Sequence, residues 1–142
     1  MKLTIGILIA VAATGLVEPR PIAAQRSSPA IVPLRVYAGS YPRLAHLAGQ
    51  EGTVELVAVI APEGAVERVR TVSGPGLLTE PAKAMLSRWL FPPCSGGCES
   101  LLRFQFVLTP GMCGDSDCVS SVQFDAPSTI TISSPHRRAL IN

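Results

Sequence analysis

Four cysteines and two histidines are the first candidates for chemistry in this 142-residue sequence, because these residue types can hold metals, attack substrates or move protons. The cysteines form two local pairs with C-x3-C and C-x4-C spacing, Cys94 with Cys98 and Cys113 with Cys118. His46 and His136 are 90 residues apart and stand in opposite flanks of the chain. The cysteine spacing suits either local disulfides or the two halves of a zinc site.

The distance between the two cysteine pairs decides between these alternatives. Residues 101–108 have the pattern of a strand, and eight residues at roughly 3.3 Å each hold the pairs about 25 Å apart. A disulfide requires Cα atoms within about 7 Å, and four zinc ligands must meet at one ion. In an oxidising compartment this predicts the disulfides Cys94–Cys98 and Cys113–Cys118, and no metal site.

The other reactive side chains do not form a catalytic arrangement. Ser95 lies inside a cysteine pair, outside the context that activates a nucleophilic serine. The turn at 73–76, Ser-Gly-Pro-Gly, lacks the lysine of a phosphate loop, and Asp115 with Asp117 supplies too few carboxylates for a calcium loop. We therefore predict no catalytic residue, no cofactor and no enzymatic activity.

The N-terminus predicts export. Residues 3–17 form an apolar run after Lys2, and Ala23-Ala24 precedes a plausible cleavage point, so residues 1–24 have the form of a signal peptide. The alternative is an uncleaved anchor facing the periplasm from the inner membrane, although a spanning helix normally needs about 20 apolar residues. Without residues 1–24 the chain has ten basic and nine acidic residues, which gives no electrostatic footprint for nucleic acid. We predict a periplasmic or secreted protein that contacts a membrane only if this segment is retained.

Hydrophobic periodicity and turn residues divide the rest of the chain into elements. Residues 25–40 form a short linker or edge segment, with an edge strand at 31–37, and residues 41–47 a brief helix. The run 53–60 is a central strand, because it is β-branched and apolar on both faces. A Pro-Glu-Gly turn joins it to a second strand at 65–72. The main helix starts at a Thr79 cap and carries an apolar stripe as far as Trp89 and Leu90.

Period-two alternation over 101–108 predicts the next strand, and residues 109–142 add a disulfide-stapled hairpin, with strands at 119–125 and 129–133, and a tail. The fold class is therefore α+β: a small antiparallel sheet packed on one main helix, with an extra C-terminal β-hairpin.

An ordered set of motifs within 41–108 resembles the TonB C-terminal domain family. It comprises Tyr41-Pro42, Gly52-Thr53-Val54, the turn Pro62-Glu63-Gly64, Ser73-Gly74, and the closing residues Trp89, Phe91 and Pro92. The resemblance implies a β-β-α-β periplasmic module. In the energy-transducing members, an edge of this sheet pairs with a short segment of an outer-membrane receptor.

The resemblance also suggests where a partner would bind. His46 occupies a first-helix position where the family often carries glutamine near the partner segment. We predict backbone pairing along strand 101–108, with Arg43, His46, Arg103 and Gln105 as contacts to an outer-membrane receptor or another envelope protein. A dimer is also compatible with an open edge. Two further readings remain: a membrane-anchored energy transducer, and a structural envelope domain whose extra hairpin covers its own edge.

Overall fold

The structure, a computed structural model, describes residue 15 and residues 30–114 and 118–137. Apart from Gly15, the predicted signal segment at 1–24 lies outside these residues. The elements within the described ranges are α1 (Arg43–Leu47), β1 (Gly52–Ile60), β2 (Val66–Ser73), α2 (Gly76–Leu86), β3 (Cys98–Cys113), β4 (Ser121–Asp125) and β5 (Thr129–Arg137).

The five strands form one mixed sheet in the order β2-β1-β3-β5-β4. Antiparallel pairing joins β2 to β1, β1 to β3, and β4 to β5, whereas β3 and β5 run parallel. The prediction of an antiparallel sheet is therefore wrong at the β3–β5 pair. The α+β class holds at the coarse level of one small sheet with few helices.

The parallel pair arises because the extra hairpin inserts its second strand next to β3. The chain leaves β3, passes beyond the sheet, returns as β4 at the outer edge, and turns back so that β5 fills the gap. Burial explains this order. Ile130 and Ile132 in β5 are fully buried, whereas Ser121, Val122, Gln123 and Asp125 in β4 are exposed. A strand with a fully apolar inner face is most stable with neighbours on both sides.

The core lies on one face of the sheet, under the two helices. Alternate side chains of β1, β3 and β5 point into it, as the period of two requires. They are Val54, Leu56, Ala58 and Ile60 from β1, Leu102, Phe104, Phe106 and Leu108 from β3, and Ile130 and Ile132 from β5. Helix α2 covers them with Leu78, Ala82, Met85 and Leu86. The opposite face of the sheet carries polar and charged side chains together with exposed apolar ones such as Leu101 and Val107.

Helix α2 starts earlier and ends earlier than predicted. Pro75 is its N-cap residue, so Thr79 lies inside the helix, where its hydroxyl donates to the Pro75 carbonyl at 2.9 Å. This back-bonding to the residue four positions earlier replaces the predicted capping role. After Leu86 the amides of Arg88 and Trp89 bond to carbonyls three residues back, which tightens and ends the last turn.

Trp89 is a core residue, as predicted, although it lies beyond the helix. Its indole is 2 % exposed and donates from Nε1 to the Tyr37 carbonyl at 2.7 Å. This bond holds the segment 30–40 over the core. The predicted edge strand at 31–37 is not formed, because the segment has only one isolated bridge, between Arg35 and Leu90, and Leu90 lies in the chain between α2 and β3.

Candidate functional site

The strand predicted to receive a partner has β1 on one side and β5 on the other over residues 103–106. Strand β3 pairs with β1 from Gly52↔Phe106 to Ile60↔Cys98, and with β5 from Arg103↔Thr129 to Cys113↔Arg137. Most of the edge predicted for backbone pairing along 101–108 is therefore occupied, because the chain's own β5 pairs with it from Arg103 onward. This is the arrangement that the structural-domain reading anticipated.

His46 is buried against β5 rather than presented to a partner. Its side chain lies on α1, the residue is 6 % exposed, and Nε2 lies 2.6 Å from the Pro135 carbonyl. A carbonyl only accepts, so Nε2 carries the hydrogen and donates. The imidazole therefore ties α1 to the end of β5.

Tyr41 packs beside this histidine and closes the same corner of the core. Its ring centroid lies 5.4 Å from that of His46 and 5.6 Å from that of Phe106. Burial, and then the nearby Glu51 carboxylate, raise the pKa of Tyr41 to about 12. The phenol therefore stays neutral at physiological pH and donates to the Gln50 carbonyl.

The other predicted contacts lie apart from His46. Gln105 and Arg103 are on the uncovered face of the sheet, where Gln105 Oε1 accepts from the Thr131 hydroxyl at 3.2 Å. The Arg103 guanidinium donates to Glu55 at 3.1 Å, and its backbone amide donates to the Ser128 carbonyl. Arg43 is exposed on α1. The four predicted residues do not converge on one surface.

The cysteines agree with the prediction in one pair and differ in the other. Cys113 and Cys118 form a disulfide across the end of β3. Cys94 and Cys98 are free thiols, so the predicted Cys94–Cys98 disulfide is not formed in the structure. Their turn, closed by Gly97 N–H on the Cys94 carbonyl at 2.9 Å, places the thiols in hydrogen-bond contact instead of joining them. Burial, and then this contact, raise the pKa of Cys98 to about 11.

We expect reduction of the folded protein to add about two mass units, one hydrogen for each sulfur of a single disulfide. Before reduction, thiol titration of the denatured chain should find Cys94 and Cys98 free. A variant with both of these cysteines replaced by serine is the matched control, because its mass gain should be unchanged. A gain of about four units in the parent chain would restore the second disulfide.

His46, Cys113 and Cys118 bring three potential metal-ligand atoms within 4.8 Å of one another. The two sulfurs are bonded to each other, and the Nε2 hydrogen of His46 is donated to Pro135. Thiolate and deprotonated imidazole nitrogen are the forms that bind metals. In this state the three residues have structural roles: the disulfide links β3 to the chain before β4, and His46 links α1 to β5.

The outer edges of the sheet are β2 and β4, and they differ in character. Strand β2 carries Glu67, Arg68 and Arg70 and has two register irregularities against β1. Charged side chains and register irregularities both protect edge strands from pairing with other chains. Strand β4 pairs with β5 without a register shift and has Asp125 as its one charged residue. Val122 within β4 is 47 % exposed, and Val119, shortly before the strand, is 74 % exposed.

A groove adjoins the start of β4. It has a volume of about 410 Å³ and is lined by residues 38–40 on one side and by Cys118, Val119, Ser120 and Val122 on the other. The Tyr41 amide donates to the Ser120 hydroxyl at 2.8 Å and holds the two walls together. Sequence reasoning missed this edge, because it placed the partner at strand 101–108 and considered the hairpin only as a cover for that edge. The available signal was a pair of valines in an otherwise polar run.

Residues 38–108 match the family of Gram-negative bacterial TonB protein C-terminal domains, and the chain belongs to this family. The match covers α1 through most of β3, so β4 and β5 lie beyond it. No curated protein and no solved structure gives a significant match. Within the part of the chain that the structure describes, no helix is both long and apolar enough to cross a membrane.

Proposed function

We propose that this protein is a non-catalytic, exported TonB-like domain that binds a protein of the cell envelope by pairing an extended segment with an edge of its sheet. The family match is the observation that carries the proposal, because the family's domain is an interaction module of the periplasm. Sheet-edge pairing needs backbone groups alone. It therefore suits a chain whose one buried histidine is committed to a structural hydrogen bond.

The occupied β3 edge changes where such pairing could take place. With β5 in that position, the two outermost strands of the sheet are β2 and β4. A partner segment would extend the five-stranded sheet at one of these edges and leave β5 in place.

Site-specific photo-crosslinking in cells that export the protein tests this proposal. A photoreactive amino acid would replace Val122 on β4, Val72 on β2, or Leu101 on the uncovered face, all of which are exposed. We expect an adduct with an envelope protein from at least one edge position and none from Leu101. If the exported protein gave no adduct at any of the three positions, the binding function would be wrong.

A second candidate function is a structural envelope domain without a strand partner. The observation that favours it is the pairing of β3 with the chain's own β5 from Arg103 to Thr109 and again at Met112 and Cys113. The absence of adducts at both edges would support this reading.

A third reading, the membrane-anchored transducer, is distinguished from these two functions by whether the N-terminal segment is cleaved. A mature N-terminus near Gln25, found by N-terminal sequencing of exported protein, would exclude an anchor at 3–17. Retention of these residues would instead make force transmission to the domain physically feasible.

A further inference from the structure

We infer that the outer edge of β4, together with the groove at its start, is the docking site for an extended segment of a different protein, with apolar side chains on one face and a basic residue on the other. This inference rests on the proposed binding function and assigns it a specific edge. Three observations support it independently: the edge itself, the groove, and the charge.

The edge of β4 has fewer of the features that discourage pairing than the edge of β2 has. Charged side chains, proline and bulges protect the edge strands of natural sheets. Strand β2 has two charged arginines, Arg68 and Arg70, and irregular register, whereas β4 is regular and has neither lysine nor arginine. An added strand would therefore meet less resistance at β4 than at β2.

The groove provides a place for side chains of an added strand. Val122 and Phe124 point to the core face of the sheet, because they are paired with Ile132 and Ile130 of β5. Val122 is nevertheless 47 % exposed, since the helices do not reach it, and Val119 beside the groove is 74 % exposed. A partner residue on the same face would cover these valines. Backbone pairing beside a pocket for alternate side chains is the usual geometry of strand addition.

The other face of β4 has an acidic bias. Asp125 lies on the uncovered face and accepts from the Gln123 amide at 3.0 Å. The Arg103 guanidinium, which belongs to β3, is paired with Glu55 instead. A lysine or arginine of the partner, on its polar face, would therefore be favoured near Asp125.

A second copy of this chain fits the edge less well. Antiparallel self-pairing centred on Gln123 would place each Asp125 opposite Ser121 and supply no positive charge to either carboxylate. The geometry therefore favours a heterologous segment.

The test uses the exported chain and a defined probe, the fluorescently labelled peptide Thr-Val-Thr-Val-Lys-Val-Thr. Val122→Lys places a charge in the groove, and Val72→Lys makes the same change on β2, where the valine is 54 % exposed. Exposed substitutions of this kind normally change stability by about 0.5 kcal/mol or less, and thermal unfolding would verify that both variants fold. We expect Val122→Lys to weaken peptide binding by about tenfold or more and Val72→Lys by less than about twofold.

Two peptide controls isolate the backbone and the charge. N-methylation of alternate peptide residues removes amide donors and should abolish binding, and replacing the peptide lysine with glutamate should weaken it at low salt. Equal effects of the two protein variants, or no binding of the parent peptide at millimolar concentration, would overturn the inference.

The crosslinking experiment keeps this inference separate from the proposed function. Adducts to an envelope protein from Val72 but not from Val122 would preserve the binding function and overturn the β4 assignment. An adduct from Val122 to a second copy of the chain would overturn the heterologous partner.

Discussion

Replacing Ile132 with alanine is expected to lower the free energy of unfolding by about 2–5 kcal/mol, the usual cost of truncating a fully buried isoleucine. Ile132 lies at the centre of β5, between Phe106 of β3 and Val122 of β4, and has no exposed surface. The substitution removes apolar burial and leaves a cavity beside the Phe106 ring. Urea unfolding, with the Cys113–Cys118 disulfide kept intact, would measure the change.

Val122→Ala is the matched control for this measurement. Val122 faces the same side of the sheet on the neighbouring strand but is about half exposed, so its truncation should cost less than about 1 kcal/mol. A similarly small cost for Ile132→Ala would mean that β5 is only loosely held. In that case a partner could displace it and reach β3, which would restore the docking edge predicted from the sequence.

Local pattern was sufficient to predict most of the first three strands. In β1 and β3 the alternation of apolar residues and the flanking glycines place Val54 and Phe104 on one face, and the structure pairs these two residues directly. The hairpin between β1 and β2 follows from a turn whose Gly64 has φ of 101°. Such features depend on neighbours in sequence, so periodicity and turn chemistry reveal them.

Either β4 or β5 could lie next to β3, and the local sequence pattern does not decide which of them does. Sequence-adjacent strands usually lie side by side, which would put β4 next to β3. The structure instead places Ile130 and Ile132 beside β3, because these side chains gain most from burial between two strands. The end of α2 is a similar case, since Trp89 fits the helical stripe but reaches the core from a segment held by Tyr37.

The residues of the predicted site do not converge for the same reason. His46 was placed correctly on the first helix, but its neighbours come from the far end of the chain, at Pro135 and Ser134. Gln105 likewise bonds to Thr131. Once β5 is present, polar groups that would have faced a partner segment are satisfied within the chain. The sequence pattern of a strand is the same whether its edge is open or paired. Only the position of β5 shows that the edge of β3 is paired.

Gly64→Ala is expected to be among the most damaging single substitutions in the hairpin region, with a loss of about 3 kcal/mol or more, or failure to fold. An ideal Cβ at this position would lie 2.0 Å from the Phe91 carbonyl oxygen. The Phe91 amide also donates to the Gly64 carbonyl at 2.9 Å. This hydrogen bond holds the two segments close together, so they do not separate easily to make room for a Cβ. Circular dichroism and urea unfolding would measure the loss.

Gly49→Ala separates the clash from the backbone preference. Gly49 also has a positive φ, 63°, but a Cβ there would meet nothing within 4 Å. Its substitution should therefore cost only about 1–2 kcal/mol, the penalty of a left-handed conformation. Equal losses in the two variants would show that the segment at Phe91 can move away from the turn. A much larger loss at Gly64 would instead mean that this contact joins the β1–β2 hairpin to the chain between α2 and β3, where Phe91 and Trp89 enter the core.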